Sequence, residues 1–254
     1  MRKIIAGFMS MTMLVLFTPQ GIAQKKEMTW TTKSKEAREL AKSGAHHMMN
    51  AEFEQAYSDV DAALKLDPNL TPALVLMANL SRGASREAYA ERAMKSAAGK
   101  TEGEKLFASL ADKNTTAEMR GETWTKLHTM FPEGRMIGDF YVQTRATPEE
   151  RFAAAEDYIK TFPDEPAMYN TIAYYYILNK KDNDMAKKNL DKYIALYPDG
   201  TNPYDSMGEY YLNTGDKENS KKYYNIALEK YPFNNSSITA LQKMADEKKS
   251  ADSK

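Results

Sequence analysis

The chain has 254 residues, with 35 basic and 35 acidic side chains and no cysteine. That balance argues against the basic face that nucleic-acid binding requires. The missing thiols exclude a disulfide framework, and with only three histidines they leave few players for zinc or nucleophilic chemistry.

The chain opens like a targeting segment. Arg2 and Lys3 precede an apolar run from Ile4 to Phe17, and Pro19 and Gly21 then break the pattern. The small residues of 21-GIA-23 suit signal peptidase, so a signal peptide over 1–23 is expected. The run is about 14 residues, short for a bilayer about 30 Å thick, so no stable membrane anchor is expected after cleavage. With no cysteine at the cut there is no lipid-attachment site, and the expected location is periplasmic or secreted. Cleavage leaves 33 basic against 35 acidic groups. Residues 24–33 read as a linker.

From residue 34 the composition is that of helices, rich in Ala, Leu, Lys, Glu, Met and Tyr and poor in Val and Ile. The first helix pair, over 37–70, contains 44-GAHHMMNAEFEQA-56. Imidazole and thioether together are copper-type ligands. Adjacent helical residues diverge by about 100°, however, so His46 and His47 cannot both reach one ion. His46 and Met49 share a face, but two ligands make a poor site, so no metal is expected. His47 is expected in the core, with His46 exposed.

Further helix starts follow at Thr71-Pro72, Glu165-Pro166 and Asn202-Pro203, each with proline near the first helical position. Thr147-Pro148-Glu149-Glu150 has the form of a capping box. Gly99-Lys100-Thr101 resembles the end of a phosphate-binding loop, but Met94 stands where that loop needs glycine and a helix precedes it. A glycine turn between hairpins is the better reading. At 182-DND-184 a calcium loop would need glycine at Lys187 and glutamate at Tyr193, so an inter-helix turn is expected. Residues 236–249 form a last helix, and 246–254 a flexible tail.

The prolines reveal a period. The phrases 62-AALKLDPN-69, 127-LHTMFPEG-134, 158-YIKTFPDE-165, 193-YIALYPDG-200 and 227-ALEKYPFN-234 each end a helix at proline. Their spacing implies a unit of about 34 residues. In 201–232, Tyr204, Met207, Gly208, Tyr211, Ser220, Tyr224, Ala227 and Pro232 fall on the pattern of the tetratricopeptide repeat (TPR) family, which the chain resembles. So do Leu40, Ser43, Gly44, His47, Ala56, Val60, Ala63 and Pro68, and likewise Asn170, Ala173, Tyr174, Ile177, Ala186, Leu190, Tyr193 and Pro198. Repeats at 37–70, 167–200 and 201–234 match well, and those over 71–166 are degenerate.

The resemblance implies an all-α, right-handed α-solenoid over 34–245, with about six helix hairpins and a C-terminal capping helix. Gly44, Ala56, Ala186 and Gly208 would be close-crossing positions. The family's function implies a non-catalytic scaffold that binds a protein or peptide partner, without cofactor. The family register places Arg38, Ala41, Ala45, Met48, Val75, Asn79, Arg82, Thr171, Tyr175, Leu178, Asp205, Glu209, Leu212 and Asn213 toward the concave groove. Of these, Arg38, Met48, Asn79, Arg82, Thr171, Tyr175, Asp205, Glu209 and Asn213 are the candidate partner-binding residues. Ala41 and Ala45 stand at first-repeat positions of the basic clamp that some relatives use for acidic chaperone tails, so that activity is not implied. Twelve of the 16 tyrosines lie after residue 168, which leaves glycan binding, or service to an exported hydrolase, as the alternative reading.

Overall fold

The computed structural model describes residues 27–252. The signal peptide expected over 1–23 lies outside them, as does the start of the linker. The described residues build an all-α solenoid of six hairpins and a final helix. The pairs are α1 (Lys35–Met49) with α2 (Phe53–Leu66), α3 (Thr71–Leu80) with α4 (Gly83–Ser96), and α5 (Glu102–Ser109) with α6 (Ala117–Met130). They continue with α7 (Arg135–Gln143) and α8 (Pro148–Thr161), α9 (Pro166–Tyr175) and α10 (Asn183–Leu196), and α11 (Asn202–Asn213) and α12 (Lys217–Lys230); α13 (Asn235–Asp252) follows. No described helix is long and apolar enough to cross a membrane.

Local chemistry sets these limits. Helices α2, α6, α8, α10 and α12 each stop two residues before a proline. Proline has no N–H to continue the helix, and it biases the residue before it away from helical angles. At the other ends, Ser34, Thr116, Asp182 and Asp216 cap the first-turn amides, and Thr147 with Glu150 closes the expected capping box. Asp182, the start of the rejected calcium loop, is the cap of α10.

Close helix crossing holds each hairpin together. A Cβ on Gly44 would lie 2.5 Å from Val60 Cγ2 and 3.1 Å from the Ala56 carbonyl oxygen. On Gly208 it would meet the Tyr224 ring at 2.7 Å. The degenerate middle uses the same device, because a Cβ on Gly138 would lie 2.3 Å from the Tyr158 ring.

Two expectations need correction. Residues 27–33 are not a passive linker: Met28 and Trp30 are buried in the core that α1 to α7 share. They are pinned by Glu104, a wholly buried carboxylate that accepts from Thr31 N–H at 2.8 Å and from Thr31 Oγ1 at 2.7 Å. Glu104 also belongs to a second capping box with Thr101, immediately after the glycine turn. Ala41, Ala45 and Val75 do not face an open groove either; all three are buried in that same core, with Ile137 of α7 and Trp30.

Alanine normally stabilises a helix relative to glycine by about 1 kcal/mol. At Gly44 the crossing reverses that sign, because Val60 is β-branched and stiff and Ala56 presents backbone. Gly44→Ala should lower the unfolding free energy by about 1–3 kcal/mol, read from the urea midpoint at unchanged slope.

Candidate partner-binding cleft

The turn between α1 and α2 reaches across the solenoid to the fifth and sixth hairpins. Asn50 is fully buried. Its side-chain N–H donates to the His46 carbonyl at 2.9 Å, and its Oδ1 accepts the Tyr193 hydroxyl at 2.8 Å. Ala51 takes a positive φ of 57°, which turns the chain so that Glu52 points at the loop after α10. Glu52 Oε2 accepts from the Tyr197 hydroxyl at 2.6 Å and lies 2.7 Å from His47 Nδ1. Glu52 Oε1 accepts from Thr201 N–H at 2.7 Å. One carboxylate thus joins segments nearly 150 residues apart.

The electrostatics follow from these contacts. Burial works to raise the Glu52 carboxyl, but the hydrogen bonds from His47, Tyr197 and Thr201 outweigh it and hold it below 4.5. The Glu52 hydrogen bond raises His47 above 6.5 against the opposing effect of burial. His46, set edge-on to the Tyr197 ring at 5.2 Å, is lowered by burial and by its neighbour His47. His47 is therefore a half-buried partner of Glu52 and Asp59 rather than the packed core residue expected, and His46 is partly covered. Among the described residues, no three His, Asp or Glu side chains gather as metal ligands.

Beside this junction lies a cleft of about 410 Å³. Met48, Met49 and Ala51 of the first turn form one wall. Gln143, Arg151 and Phe152 come from the fourth hairpin, and Asn170, Thr171 and Tyr175 from α9. Leu178 stands at the rim, 60% exposed, in a π-helical turn (Tyr176–Lys180) that ends α9 and closes on a left-handed Lys181. Tyr175 is buried and stacked on Phe152, ring centroids 4.2 Å apart. Gln143 Nε2 donates to Thr171 Oγ1 at 2.8 Å. Asn170 Oδ1 and Arg151 Nε are buried polar atoms with no hydrogen-bond partner in the chain.

Met48, Thr171 and Tyr175 are the candidates that the fold brings together here. Asp205 is buried, accepts the Ser237 hydroxyl from α13, and lines a separate cleft with Phe53 and Tyr231. Glu209 accepts the Tyr174 hydroxyl. Arg38 donates to the Thr32 carbonyl at 3.3 Å, held by the N-terminal segment. Asn79, Arg82 and Asn213 line neither cleft. The nine residues therefore do not share one groove. Asn50, Glu52, Asn170 and Arg151 carry the geometry and were not among them. Polar residues in an inter-helix turn read as solvent-facing, so nothing local marks Asn50 and Glu52.

The lock has a pH signature. Glu52 contributes stability that is complete above 4.5 and is lost as pH falls through its lower folded value. His47 contributes stability that is complete below 6.5 and is lost as pH rises through its higher folded value. Both act fully between 4.5 and 6.5. Wild type should exceed Glu52→Gln in unfolding free energy by about 3 kcal/mol in that window, and by less on either side. A pH-independent difference would show that the pair does not act as a lock.

Residues 166–199 and 202–232 match the model of the tetratricopeptide repeat. No curated protein matches the chain. Among solved structures, the APC/C hetero-tetramer Cut9–Hcn1 is similar at a TM-score of 0.50 and 13% identity, over 82% of this chain and 42% of that one. The type IV pilus biogenesis factor PilW gives 0.46 and 14%, over 82% and 99% of the two chains. A thermophilic TPR protein of Thermus thermophilus gives 0.38 and 18%, over 82% and 97%. Two tetratricopeptide repeats, at 166–199 and 202–232, therefore form the fifth and sixth hairpins of the α-solenoid.

Proposed function

We propose that this chain is an exported, non-catalytic scaffold of the cell envelope that takes an extended segment of a partner protein into the cleft beside the lock. The observation that carries this reading is the pairing of unanswered polar groups with apolar walls. Asn170 offers an acceptor and Arg151 a donor, each without a partner in the chain. A peptide backbone brings an N–H and a C=O that answer both. Met48, Met49, Phe152 and Leu178 supply apolar surface for its side chains, and methionine adapts its shape to varied ones. The position at the junction of the first, fourth and fifth hairpins suits recognition, since most of the site is set by rigid helices.

The tyrosine excess favours packing over a carbohydrate platform. The hydroxyls of Tyr158, Tyr169, Tyr204 and Tyr210 donate to backbone carbonyls, and those of Tyr174, Tyr193 and Tyr197 to side chains. Export rests on the charged start and short apolar run of residues 1–23.

Two experiments test the proposal. Capture from an envelope extract should recover a partner with wild type and lose most of it with Met48→Lys or Thr171→Lys, while Asn79→Ala retains it. Equal recovery by all variants would move the binding surface elsewhere, and no recovery by wild type would count against the scaffold. The mass of the protein purified from the envelope should begin at Gln24; an intact Met1 in that fraction would refute cleavage.

A further inference from the structure

A second cavity, of about 200 Å³, shares no residue with the cleft. Met28 and Trp30 of the N-terminal segment, with Met136 and Ile137 of α7, give it apolar walls. Its polar lining includes Asp139 of α7 and Glu165, the residue before α9, along with Glu27, Lys42, His46 and Arg135. Asp139 and Glu165 are more than nine-tenths buried, at 6% and 5% exposure. Asp139 Oδ1 and Glu165 Oε1 are buried acceptors with no hydrogen-bond donor in the chain. Native proteins seldom leave such atoms unanswered.

The nearby cations do not answer them. Arg135 Nη2 forks onto both oxygens of Asp164 at 2.9 and 3.0 Å, and its Nη1 comes only to 3.6 Å from the other oxygen of Glu165. His46 Nδ1 stays 4.0 Å from Glu165 Oε1, and burial and the neighbouring His47 disfavour its charged form. Lys42 lines the cavity but is exposed. Burial pushes both carboxyl groups up, Glu165 to about 7.

We propose that this cavity binds a primary ammonium group on an aliphatic stem, with Asp139 and Glu165 accepting its hydrogens. The open acceptors come singly from two different carboxylates. That suits a compact cation with three rotatable donors better than a planar guanidinium, which favours both oxygens of one carboxylate. A butylammonium needs about 150 Å³ at roughly 30 Å³ per heavy atom, the share of one water molecule, and the cavity offers that room. Trp30 and Met28 flank the stem, and an indole ring also favours a nearby cation. The source is either a lysine side chain of a partner protein or a free alkyl amine.

The test follows the Trp30 and Trp124 indole N–H resonances of the full chain, since Trp124 stacks on Phe140 away from the cavity. The probes are n-butylammonium and the peptide acetyl-Gly-Lys-Gly-amide. Their neutral counterparts are n-butanol and the same peptide with an acetylated lysine, at constant ionic strength. The charged probes should shift Trp30 saturably and leave Trp124 in place, and the neutral ones should do neither. Asp139→Asn and Glu165→Gln, each checked by circular dichroism and by an unmoved Trp124 resonance, should weaken binding at least tenfold. Asn79→Ala should leave it unchanged. Binding of the peptide assigns the site to a partner's lysine, and binding of butylammonium alone assigns it to a small amine. No saturable shift with either charged probe, equal binding by neutral probes, or undiminished binding in either correctly folded acid variant would overturn the proposal.

Discussion

The carboxylate of Glu52 is the constraint on which the arrangement depends. It accepts hydrogen bonds from Tyr197 and Thr201 while paired with His47, and it does so within a turn that the buried Asn50 holds in shape. A solenoid in which each hairpin meets only its neighbours has soft long-range geometry. Tying hairpin one to the junction of hairpins five and six removes that freedom. Because Met48 and Met49 immediately precede this turn, the tie also decides that they stand opposite Asn170 and Thr171. The first turn thereby becomes a wall of the cleft.

Such a tie is worth having only if its groups are well answered. A carboxylate taken out of water loses several kcal/mol of hydration, which its partners must offset. Glu52 manages this with three donors on two oxygens, and Glu104 with four, from Thr31 and Thr101. Asp139 and Glu165 contrast with both. They are as deeply buried, yet each keeps an oxygen without a donor. The same fold thus holds buried carboxylates of two kinds, those completed by the chain and those left open.

The hairpins themselves were legible. Five prolines at matching positions, glycine or alanine where helices cross, and oxygen-bearing caps at helix starts act over a few residues or within one hairpin, so they can be counted along the chain. Even the degenerate middle follows the rule once Gly138 is seen against Tyr158. Met48, Thr171 and Tyr175, three residues of the family register, line the cleft, but a register gives no cover. It failed for Ala41, Ala45 and Val75, because counting positions on a helix finds a face but not what covers it. Here α7 and residues 27–33 share the core with that face. Asp205 and Glu209 are engaged for a related reason, by Ser237 from α13 and by Tyr174 from α9.

The two histidines and two methionines of 44-GAHHMMNAEFEQA-56 mark the boundary between the two kinds of information. Residue order alone determined that they close a helix, that adjacent side chains point apart, and that a turn follows. These are consequences of helical period and local propensity. That His47 pairs with Glu52, that His46 meets Tyr197, and that Met48 and Met49 face α9 were decided only when the chain closed on itself. The physical reason is range: caps, prolines and crossing glycines act between residues close in sequence, whereas the Glu52 junction joins groups nearly 150 residues apart whose meeting depends on the summed rotation of every intervening hairpin.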